Sequence, residues 1–577
     1  MTKSILQKIS KLGNLVVAWF NFFMFFAMRP CWSGISKTLG YEDSGSWLVL
    51  NLPVIIWILL GLLFAANIVL YCLLGKKGRS MLYSYVLNGV NCVFLVAVFV
   101  IIALGAKDYM DYIWPTFWEY FFYTLATLAL LWLVLVYPRT AAAKSKWYKR
   151  LVVVMVLVVM GLSLVNPTIN DIHTGAVVYA VEDQYQIVFS SKTEARAWVE
   201  IDGVRYYDNY NGSNRSNTRI HKVTVPMKVL NDAGAYEIHV QKMTYRGPFG
   251  GYKGRDISQS YTFRGVDASD GLDYYAISDI HMGRKISVDA YKNCGKKVEL
   301  LVMAGDIVSM MDSFDDANLT NVIAHDMTGG SIPVIYARGN HELKGKYSEY
   351  FDQFVGSFNG KFYYNVWLDN TYVAVLDIGE DHDDDWWEYY GTADYEKYRA
   401  EQYDMLSQTL GEGKYASCDY KMAVCHIPPV FVNSRKNHEH CKATLTDLLN
   451  KLDINMCISG HQHDLLIFEP DTVVPNQKLT YNESYKPGGK TYKGYVTDYQ
   501  FVNMLVSKRG YEQLDSSDLI GVDSQIGLLV SVDFSANTQT CTYTNSLGNA
   551  VSVVNPFADI NYGTTFAFDL ATNRLVK

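Results

Sequence analysis

Long apolar runs dominate residues 1–170, and short alternating runs dominate the remainder of the chain. Four of the long runs are near the length of about 20 apolar residues that a helix needs to cross a bilayer. They are roughly Trp47–Leu74, Leu82–Leu104, Phe117–Tyr137 and Leu151–Val165, the last extended by Trp147-Tyr148, and a shorter fifth run covers about Leu12–Met28. The pattern predicts an N-terminal α-helical transmembrane bundle of about five helices over residues 1–170.

Residues 171–266 alternate between apolar and polar positions in short runs that are separated by turn signals such as Asp202-Gly203 and Asn231-Asp232. Evenly spaced short strands of this kind predict a small β-sandwich. By pattern and position it resembles the fibronectin-III-like domain that precedes the catalytic domain in purple acid phosphatases. Its role is open between a spacer and a part that shapes the substrate site.

Residues 267–577 contain five short polar motifs, and each of them follows an apolar run that is typical of a buried strand. In order they are Asp279-Ile280-His281, Gly305-Asp306, Gly339-Asn340-His341-Glu342, His426, and Gly460-His461-Gln462-His463. In α/β sheets, ligands bind at the carboxyl ends of the strands, so five such ends can converge on one crevice.

The residue types in these motifs are those of a site with two metal ions. Two divalent cations about 3.5–4 Å apart can bind phosphate oxygens and generate a hydroxide at neutral pH. Imidazole and carboxylate ligands together suit Mn, Fe or Zn. The motifs therefore predict an enzyme, a metal-dependent phosphoric ester hydrolase that cleaves mono- or diesters by attack of metal-bound hydroxide.

The order and spacing of the motifs resemble the calcineurin-like metallophosphoesterase family. The resemblance implies an α/β four-layer sandwich (αββα) over residues 267–577. It also implies three groups of metal ligands: Asp279, His281 and His463 on the first metal, Asn340, His426 and His461 on the second, and Asp306 bridging the two.

The same resemblance gives His341 a catalytic role, because it would protonate the leaving oxygen or steady the phosphate. Glu342 would orient His341 or lie behind the ligands. Asn340 and His341 are expected to contact the substrate. Arg338 is a further candidate for a phosphate contact, with an ion pair within the fold as its alternative.

The domain arrangement resembles that of purple acid phosphatases, but two positions differ from that group. His281 stands in the first motif, and Ser309 occupies the position of the tyrosine iron ligand. No tyrosinate–iron bond is therefore expected, and the identity of the two metals stays open among Mn, Fe and Zn.

Charge is distributed as unevenly as hydropathy. Residues 1–170 carry a net charge of +9, and since the 577-residue chain carries −7, the remainder carries −16. An acidic C-terminal part with no basic stripe argues against binding of a nucleic acid polymer. The excess of Lys and Arg in alternate connections predicts a multi-pass cell-membrane protein with a cytoplasmic N-terminus and an extracytoplasmic catalytic domain.

Membrane proximity makes a lipid-linked phosphate or pyrophosphate a candidate substrate, and it makes the bilayer a partner. The alternative function is a non-catalytic or regulatory module of the same fold that senses a ligand and couples to the membrane helices. An intact proton donor at His341 favours the enzyme, because a module that only binds has no need of it.

Overall fold

The computed structural model describes residues 17–21, 24, 55–56, 58–67, 69, 79–105, 171–247, 250–380, 382–389, 391–433, 439–482, 491–506, 508–511, 523–555, 557–558 and 560–576. The chain divides into two compact units, Met1–Asn166 and Pro167–Lys577.

The first unit contains helix α1, Arg79–Gly105, whose side chains are described over residues 86–98 and at residue 100. Among the residues that the structure describes, no helix has both the length and the apolar character that crossing a membrane requires. This finding contradicts the predicted transmembrane bundle over residues 1–170. The apolar runs have a suitable length in the sequence, but a span requires one continuous apolar helix of about 20 residues.

The predicted localisation depended on those spans and is corrected with them. A multi-pass cell-membrane protein with a cytoplasmic N-terminus and an extracytoplasmic catalytic domain is not supported by the described residues. The predicted spans at 117–137 and 151–165 lie outside the described residues, as does most of the predicted span at 12–28.

Within its described residues, the second unit contains a large mixed sheet of 13 strands. Its path runs β26-β23-β22-β9-β10-β11-β1-β2-β7-β8, with β21 beside β22 and with β3 and β6 beside β2. The strands of the path, in that order, are Thr565–Asp569, Thr538–Asn545, Asp523–Asp533, Gly271–Ile277, Leu300–Met303, Pro333–Tyr336, Ile172–Val181, Gln184–Ile201, Ala235–Gly247 and Gly250–Thr262. The flanking strands β21, β3 and β6 are Lys508–Tyr511, Val204–Tyr207 and Thr218–Pro226.

Residues 171–266 were expected to form a separate β-sandwich, and their strand β1 joins them to the part of the chain that carries the five motifs. It pairs in parallel with β11, with Val178 opposite Pro333 and Tyr179 opposite Val334. The strands of residues 171–266 therefore continue the sheet that contains β9, β10 and β11, and the fold prediction is corrected on this point. Pairing between positions about 155 residues apart leaves no local signal in the sequence.

The long strand β2 changes partners along its length. Its first half pairs with β1 and β6, and its second half pairs with β3 and β7, with a register shift between Ser190 and Ala195. An irregularity of this kind bends a strand and increases its twist. The irregularity lies between the half of β2 that pairs with β1 and β6 and the half that pairs with β3 and β7.

A second sheet of six strands has the order β12-β13-β14-β16-β20-β17 within the described residues. In that order the strands are Tyr364–Leu368, Thr371–Leu376, Tyr420–Cys425, Met456–Ser459, Val502–Leu505 and Ile467–Phe468. The remaining small strands are β4 Asn209–Tyr210, β5 Ser213–Asn214, β15 Phe431–Asn433, β18 Leu479–Asn482, β19 Thr491–Val496, β24 Val553–Asn555 and β25 Ile560–Gly563.

The helices of the second unit pack on these sheets. They are α2 Met227–Ala233, α3 Arg284–Lys292, α4 Phe314–Thr328, α5 Tyr395–Thr409, α6 Gly413–Ala416 and α7 Glu439–Lys451, with 3-10 turns at His341–Leu343, Ser348–Gln353 and Trp387–Tyr389. Helix α3 contacts β22 and α4 contacts β1. Leu406 of α5 and Leu445 and Leu449 of α7 share a core with Ala374 and Cys425 of the six-stranded sheet.

The two sheets meet through buried tyrosines. Tyr274 of β9 and Tyr420 of β14 have hydroxyl oxygens 3.1 Å apart, and Tyr420 also donates to Gln539 on β23 at 2.8 Å. Each tyrosine hydroxyl has a partner, as buried polar groups require. The contact holds β9, the strand that leads to Asp279, against β14, the strand that leads to His426.

Candidate metal centre

The predicted ligands lie at the carboxyl ends of five strands that belong to both sheets. Strands β9, β10 and β11 pair in parallel in the large sheet, and β14 and β16 pair in parallel in the second one. Parallel strands in register end at the same edge, so each sheet brings its own motifs together. The large sheet carries Asp279, His281, Asp306 and Asn340, and the second sheet carries His426, His461 and His463.

Several of these residues adopt left-handed backbone conformations that L-residues rarely use. The φ angles are +52° at Asp279, +45° at His281, +53° at Asp306, +71° at His461 and +53° at His463. Such conformations cost about 1–3 kcal/mol each and persist where the surroundings enforce them. Hydrogen bonds between loops do so here, because Asp279 N donates to the Gly305 carbonyl at 3.1 Å and His281 N donates to the Asp306 carbonyl at 2.9 Å.

Two glycines let the ligand loops approach each other. A Cβ at Gly339 would lie 2.2 Å from Asp306 Oδ1, and one at Gly460 would lie 2.0 Å from Ser278 Oγ and 2.4 Å from Asp279 Oδ2. Any side chain at either position would therefore displace a carboxylate of the site.

The first group of ligand atoms is compact. Asp279, His281, Asp306 and His463 each offer one atom, and these atoms all lie within 4.8 Å of one another. His463 Nε2 lies 3.2 Å from Asp279 Oδ1 and 3.1 Å from His281 Nε2. The group unites the ligands expected on the first metal with the expected bridging carboxylate.

The second group adjoins it through Asp306. Asp306 Oδ2 lies 3.2 Å from His426 Nε2, and His461 Nδ1 lies 3.1 Å from Asn340 Oδ1. The backbone N–H of His461 donates to Asp279 Oδ2 at 3.0 Å, which ties the His461 loop to the first group. The structure thus brings all seven predicted ligands together.

Hydrogen bonds orient His426 as a ligand. Its Nδ1 lies 2.7 Å from the carbonyl oxygen of Ala304, so Nδ1 carries the hydrogen and Nε2 faces Asp306. A ligating histidine ordinarily has its other ring nitrogen held in this way. His426 Nε2 and Asp279 Oδ1 are buried, and each lies 3.2 Å from another atom of a donor set that fits a divalent cation.

The charges of the site are strongly coupled. Burial opposes ionisation of Asp306 and Asp279, but the charges and hydrogen bonds of His426 and the other neighbouring histidines together outweigh it and lower the pKa of both carboxyls. Burial also opposes protonation of His426, but Asp306 and Asp279 outweigh it and raise its pKa to about 10. Burial lowers the pKa of His281 well below its usual value, which keeps that ligand neutral.

His341 lies beside the predicted ligands, and its backbone N–H donates to Asp306 Oδ1 at 2.9 Å. Its Nδ1 lies 2.9 Å from the carbonyl oxygen of Ser309, and its Nε2 lies 3.9 Å from Asp306 Oδ2. With Nδ1–H donating to Ser309, Nε2 is the nitrogen that faces the site. Ser309, which occupies the position of the tyrosine ligand in purple acid phosphatases, thus orients His341 through its backbone carbonyl.

The carboxylate of Glu342 holds the loops that carry Asp306 and Asn340. Its carboxylate is buried, and it accepts hydrogen bonds from the backbone N–H groups of Asp306 at 3.0 Å, Ile307 at 2.7 Å, Val308 at 3.3 Å and Gly339 at 2.9 Å. Burial, reinforced by the charge of Asp306, raises its pKa to about 7, against the effect of these N–H donors.

Ser278 contacts a predicted ligand and was not among the residues that the sequence singled out. Its Oγ donates to Asp279 Oδ2 at 2.7 Å and lies 2.8 Å from the Ala304 carbonyl oxygen. The available signal was its position directly before the first motif, where a small hydroxyl can reach the neighbouring carboxylate.

Arg338 makes contacts within the fold. Its guanidinium lies 2.7 Å from Asp377 Oδ2 and stacks 4.2 Å from the ring centre of Phe362. Asp377 also accepts a hydrogen bond from the Tyr398 hydroxyl at 3.1 Å. The arginine directly before the third motif is therefore held by an ion pair and an aromatic face.

Comparison with known proteins gives a family for the region that carries the site. Residues 273–465 match the model of the calcineurin-like phosphoesterase family. This range includes all seven predicted metal ligands and His341. No curated protein matches the chain.

Among solved structures, PhoD is similar with 11% identity and a TM-score of 0.40, over 70% of this chain and 91% of that chain. GAP50, the anchor in the inner membrane complex of Plasmodium, is similar with 11% identity and a TM-score of 0.32, over 51% of this chain and 89% of that chain. A metallophosphoesterase from Sphaerobacter thermophilus is similar with 13% identity and a TM-score of 0.21, over 48% and 88%. With TM-scores this low, these likenesses carry no further argument.

Proposed function

We propose that this chain, whose residues 273–465 form a calcineurin-like phosphoesterase domain, is a hydrolase of phosphate mono- or diesters that uses two divalent metal ions. The observation that carries the proposal is the convergence of seven carboxylate, amide and imidazole side chains from two sheets. Four of them place one ligand atom each within 4.8 Å of the others.

The proposed roles are those that the family resemblance implies, and the contacts described above support them. Asp279, His281 and His463 would hold one ion, Asn340, His426 and His461 the other, and Asp306 both. When bound, the two ions would neutralise the phosphate oxygens and activate the attacking water. Mn, Fe and Zn all suit this donor set.

His341 would act on the leaving group. Its Nδ1–H is fixed on the Ser309 carbonyl, so a proton on Nε2 points toward the site and can pass to the leaving oxygen. Proton donation of this kind is typically worth about 10²–10⁴-fold in rate. Asn340 and His341 are the proposed substrate contacts, and Arg338 is left out because Asp377 already engages its guanidinium.

A phosphoester is the substrate class that the domain implies. The expectation of a lipid-linked substrate depended on a membrane-anchored chain, so the proposal does not include it. The ligand-sensing alternative depended on the same membrane helices and has no separate observation in its favour.

The test compares hydrolysis of aryl phosphate mono- and diesters by the full chain, loaded with Mn²⁺, Fe²⁺ or Zn²⁺, with that of two variants. Asp306→Asn removes the bridging charge and His461→Ala removes a ligand, and both should abolish turnover. Lys228→Met, at an exposed residue paired only with Asp232, should match the unchanged protein. Undiminished activity in both ligand variants would contradict the proposal.

A further inference from the structure

The proposed proton donor begins a segment that is fixed at several points. The segment, residues 341–357, contains the 3-10 turns His341–Leu343 and Ser348–Gln353. Near its start, Met311 N donates to the Lys344 carbonyl at 2.8 Å and Tyr347 N donates to the Met311 carbonyl at 2.9 Å. These bonds tie the segment to the loop that supplies the Ser309 carbonyl, which orients His341.

Aromatic packing fixes the middle of the segment. Phe351 is fully buried, with its ring centre 5.9 Å from that of Tyr336, and Phe354 stacks beside it at 6.3 Å. Tyr336 ends β11, the strand that leads into Gly339 and Asn340. The middle of the segment therefore rests on the strand that delivers a metal ligand.

The far end of the segment is held by Lys222 of β6, a strand outside the family domain. The Lys222 ammonium donates to the carbonyls of Asp352 and of Val355, the latter at 2.9 Å, and to Ser357 Oγ at 2.8 Å. Three acceptors match the three hydrogens of an ammonium group. Two of them are carbonyls at the end of a 3-10 turn, where carbonyl groups lack partners within the turn.

Neighbouring side chains reinforce this grip. Gln186 of β2 donates from its Nε2 to the Ser357 carbonyl at 2.7 Å and accepts from Ser357 N at 3.1 Å. Its strand pairs with β6 so that Val188 lies opposite Lys222, which places Gln186 and Lys222 on the same face. Arg215 adds a hydrogen bond of 2.7 Å to Gln353 Oε1.

The contacts require a charged lysine at neutral pH. Lys222 is half-buried as a residue, and desolvation of its ammonium group lowers the pKa to about 8. The group is still mostly protonated at pH 7, when all three of its hydrogens are donated. An apolar residue at this position would avoid the desolvation but would remove a donor from the carbonyls of Asp352 and Val355, of which that of Asp352 also accepts from the Ser357 hydroxyl at 3.0 Å.

We propose that Lys222 is a positioning residue for His341: by fixing the far end of the 341–357 segment, it fixes the place from which His341 delivers its proton. This inference rests on the proposed function, since it requires His341 to act on a leaving group. It gives the strands before residue 267 a part in catalysis in addition to their part in the sheet.

The test uses the dependence of rate on the leaving group. A nitrophenolate leaves without a proton, whereas an alkoxide leaves only with one, so misplacement of His341 should slow the alkyl ester selectively. In the full metal-loaded chain, Lys222→Met should lower kcat for an alkyl phosphate by about 10-fold or more, because small misplacements of a catalytic group cost up to about 10²-fold. The loss for a dinitrophenyl phosphate should stay within about 3-fold, KM should change little, and Lys222→Arg should restore part of the alkyl rate.

Two controls separate positioning from loss of stability. Leu230→Ala removes a fully buried side chain of α2, a helix that lies beside the same strands, and should lower the melting temperature without any leaving-group selectivity. Ser357→Ala removes one acceptor of Lys222, together with the hydroxyl that donates to the Asp352 carbonyl, and should give a smaller selective loss in a folded protein. Amide hydrogen exchange over 345–357 should accelerate in Lys222→Met and not in Leu230→Ala.

The outcomes distinguish this inference from the proposed function. An active unchanged protein with equal losses for both esters in Lys222→Met, or with no loss, would overturn the positioning role alone. An unchanged protein that hydrolyses neither ester at any metal loading would overturn the proposed function, and the positioning role with it.

Discussion

Replacing Glu342 by glutamine tests whether this buried carboxylate holds the two metal-binding loops. Its Oε1 accepts the N–H groups of Ile307 and Val308, and its Oε2 accepts those of Asp306 and Gly339. A glutamine has one oxygen and one NH₂ group. Two backbone N–H groups would therefore face another donor instead of an acceptor.

The expected magnitude follows from that count. A buried donor left without a partner costs about 1–3 kcal/mol, so the variant should lose about 2–6 kcal/mol of stability when metals are bound. In chelated protein the loss should be smaller. Burial and the charge of Asp306 raise the pKa of Glu342 to about 7, so they disfavour its ionised form. Bound cations offset this unfavourable effect, and chelation removes the offset.

The assay is denaturant unfolding of both proteins, with saturating Mn²⁺ and with chelator, together with metal titration. Because the variant loosens the loops that carry Asp306 and Asn340, metal affinity should fall by about 10–100-fold. Glu349→Gln, at an exposed residue in the neighbouring 3-10 turn, should change stability by less than about 0.5 kcal/mol. Equal unfolding and equal metal affinity for Glu342→Gln and the unchanged protein would refute the reasoning.

Three further predictions concern other contacts of the site. Metal binding near pH 7 should release a proton from His426, because the pKa of this residue is raised to about 10. The calorimetric enthalpy of metal binding should therefore vary with the ionisation enthalpy of the buffer, and metal affinity should rise with pH up to about 10. Enthalpies that do not depend on the buffer would contradict this prediction. Gly460→Ala should reduce metal content in elemental analysis, because its Cβ would lie 2.0 Å from Ser278 Oγ, and full metal content would contradict it. Arg338→Met should lower stability in thermal unfolding by about 3–5 kcal/mol, because it leaves the buried Asp377 carboxylate without its charge partner, and a neutral effect would contradict it.

The motifs could be located from sequence because each ligand directly follows a buried strand. Asp279 follows β9 and His426 follows β14, and the rule that parallel strands end at one edge brings such residues together. Their roles as ligands stay predictions that the proposed experiments test. The resemblance implied two sheets, but the sequence did not indicate how the five strands divide between them or that the sheets touch through Tyr274 and Tyr420.

The contacts that sequence reasoning missed are those set by long-range pairing. Lys222 meets residues 352–357, some 130 positions away, only because β6 pairs with β2 and β2 with β1 in the large sheet. Glu342 was expected to orient His341 or to lie behind the ligands, and its position in the motif gave no indication that its carboxylate accepts from the N–H groups of Asp306 and Ile307. In residues 1–170, hydropathy alone led to transmembrane helices that the described structure does not contain.

The central claim is that two metal ions at the seven-ligand site carry out phosphoester hydrolysis. The most direct measurement titrates Mn²⁺ into chelated full-length protein while following hydrolysis of an aryl phosphate. The account predicts no turnover without metal and a rise in activity that ends near two equivalents per chain. Turnover that survives chelation, or full activity at one equivalent, would contradict it.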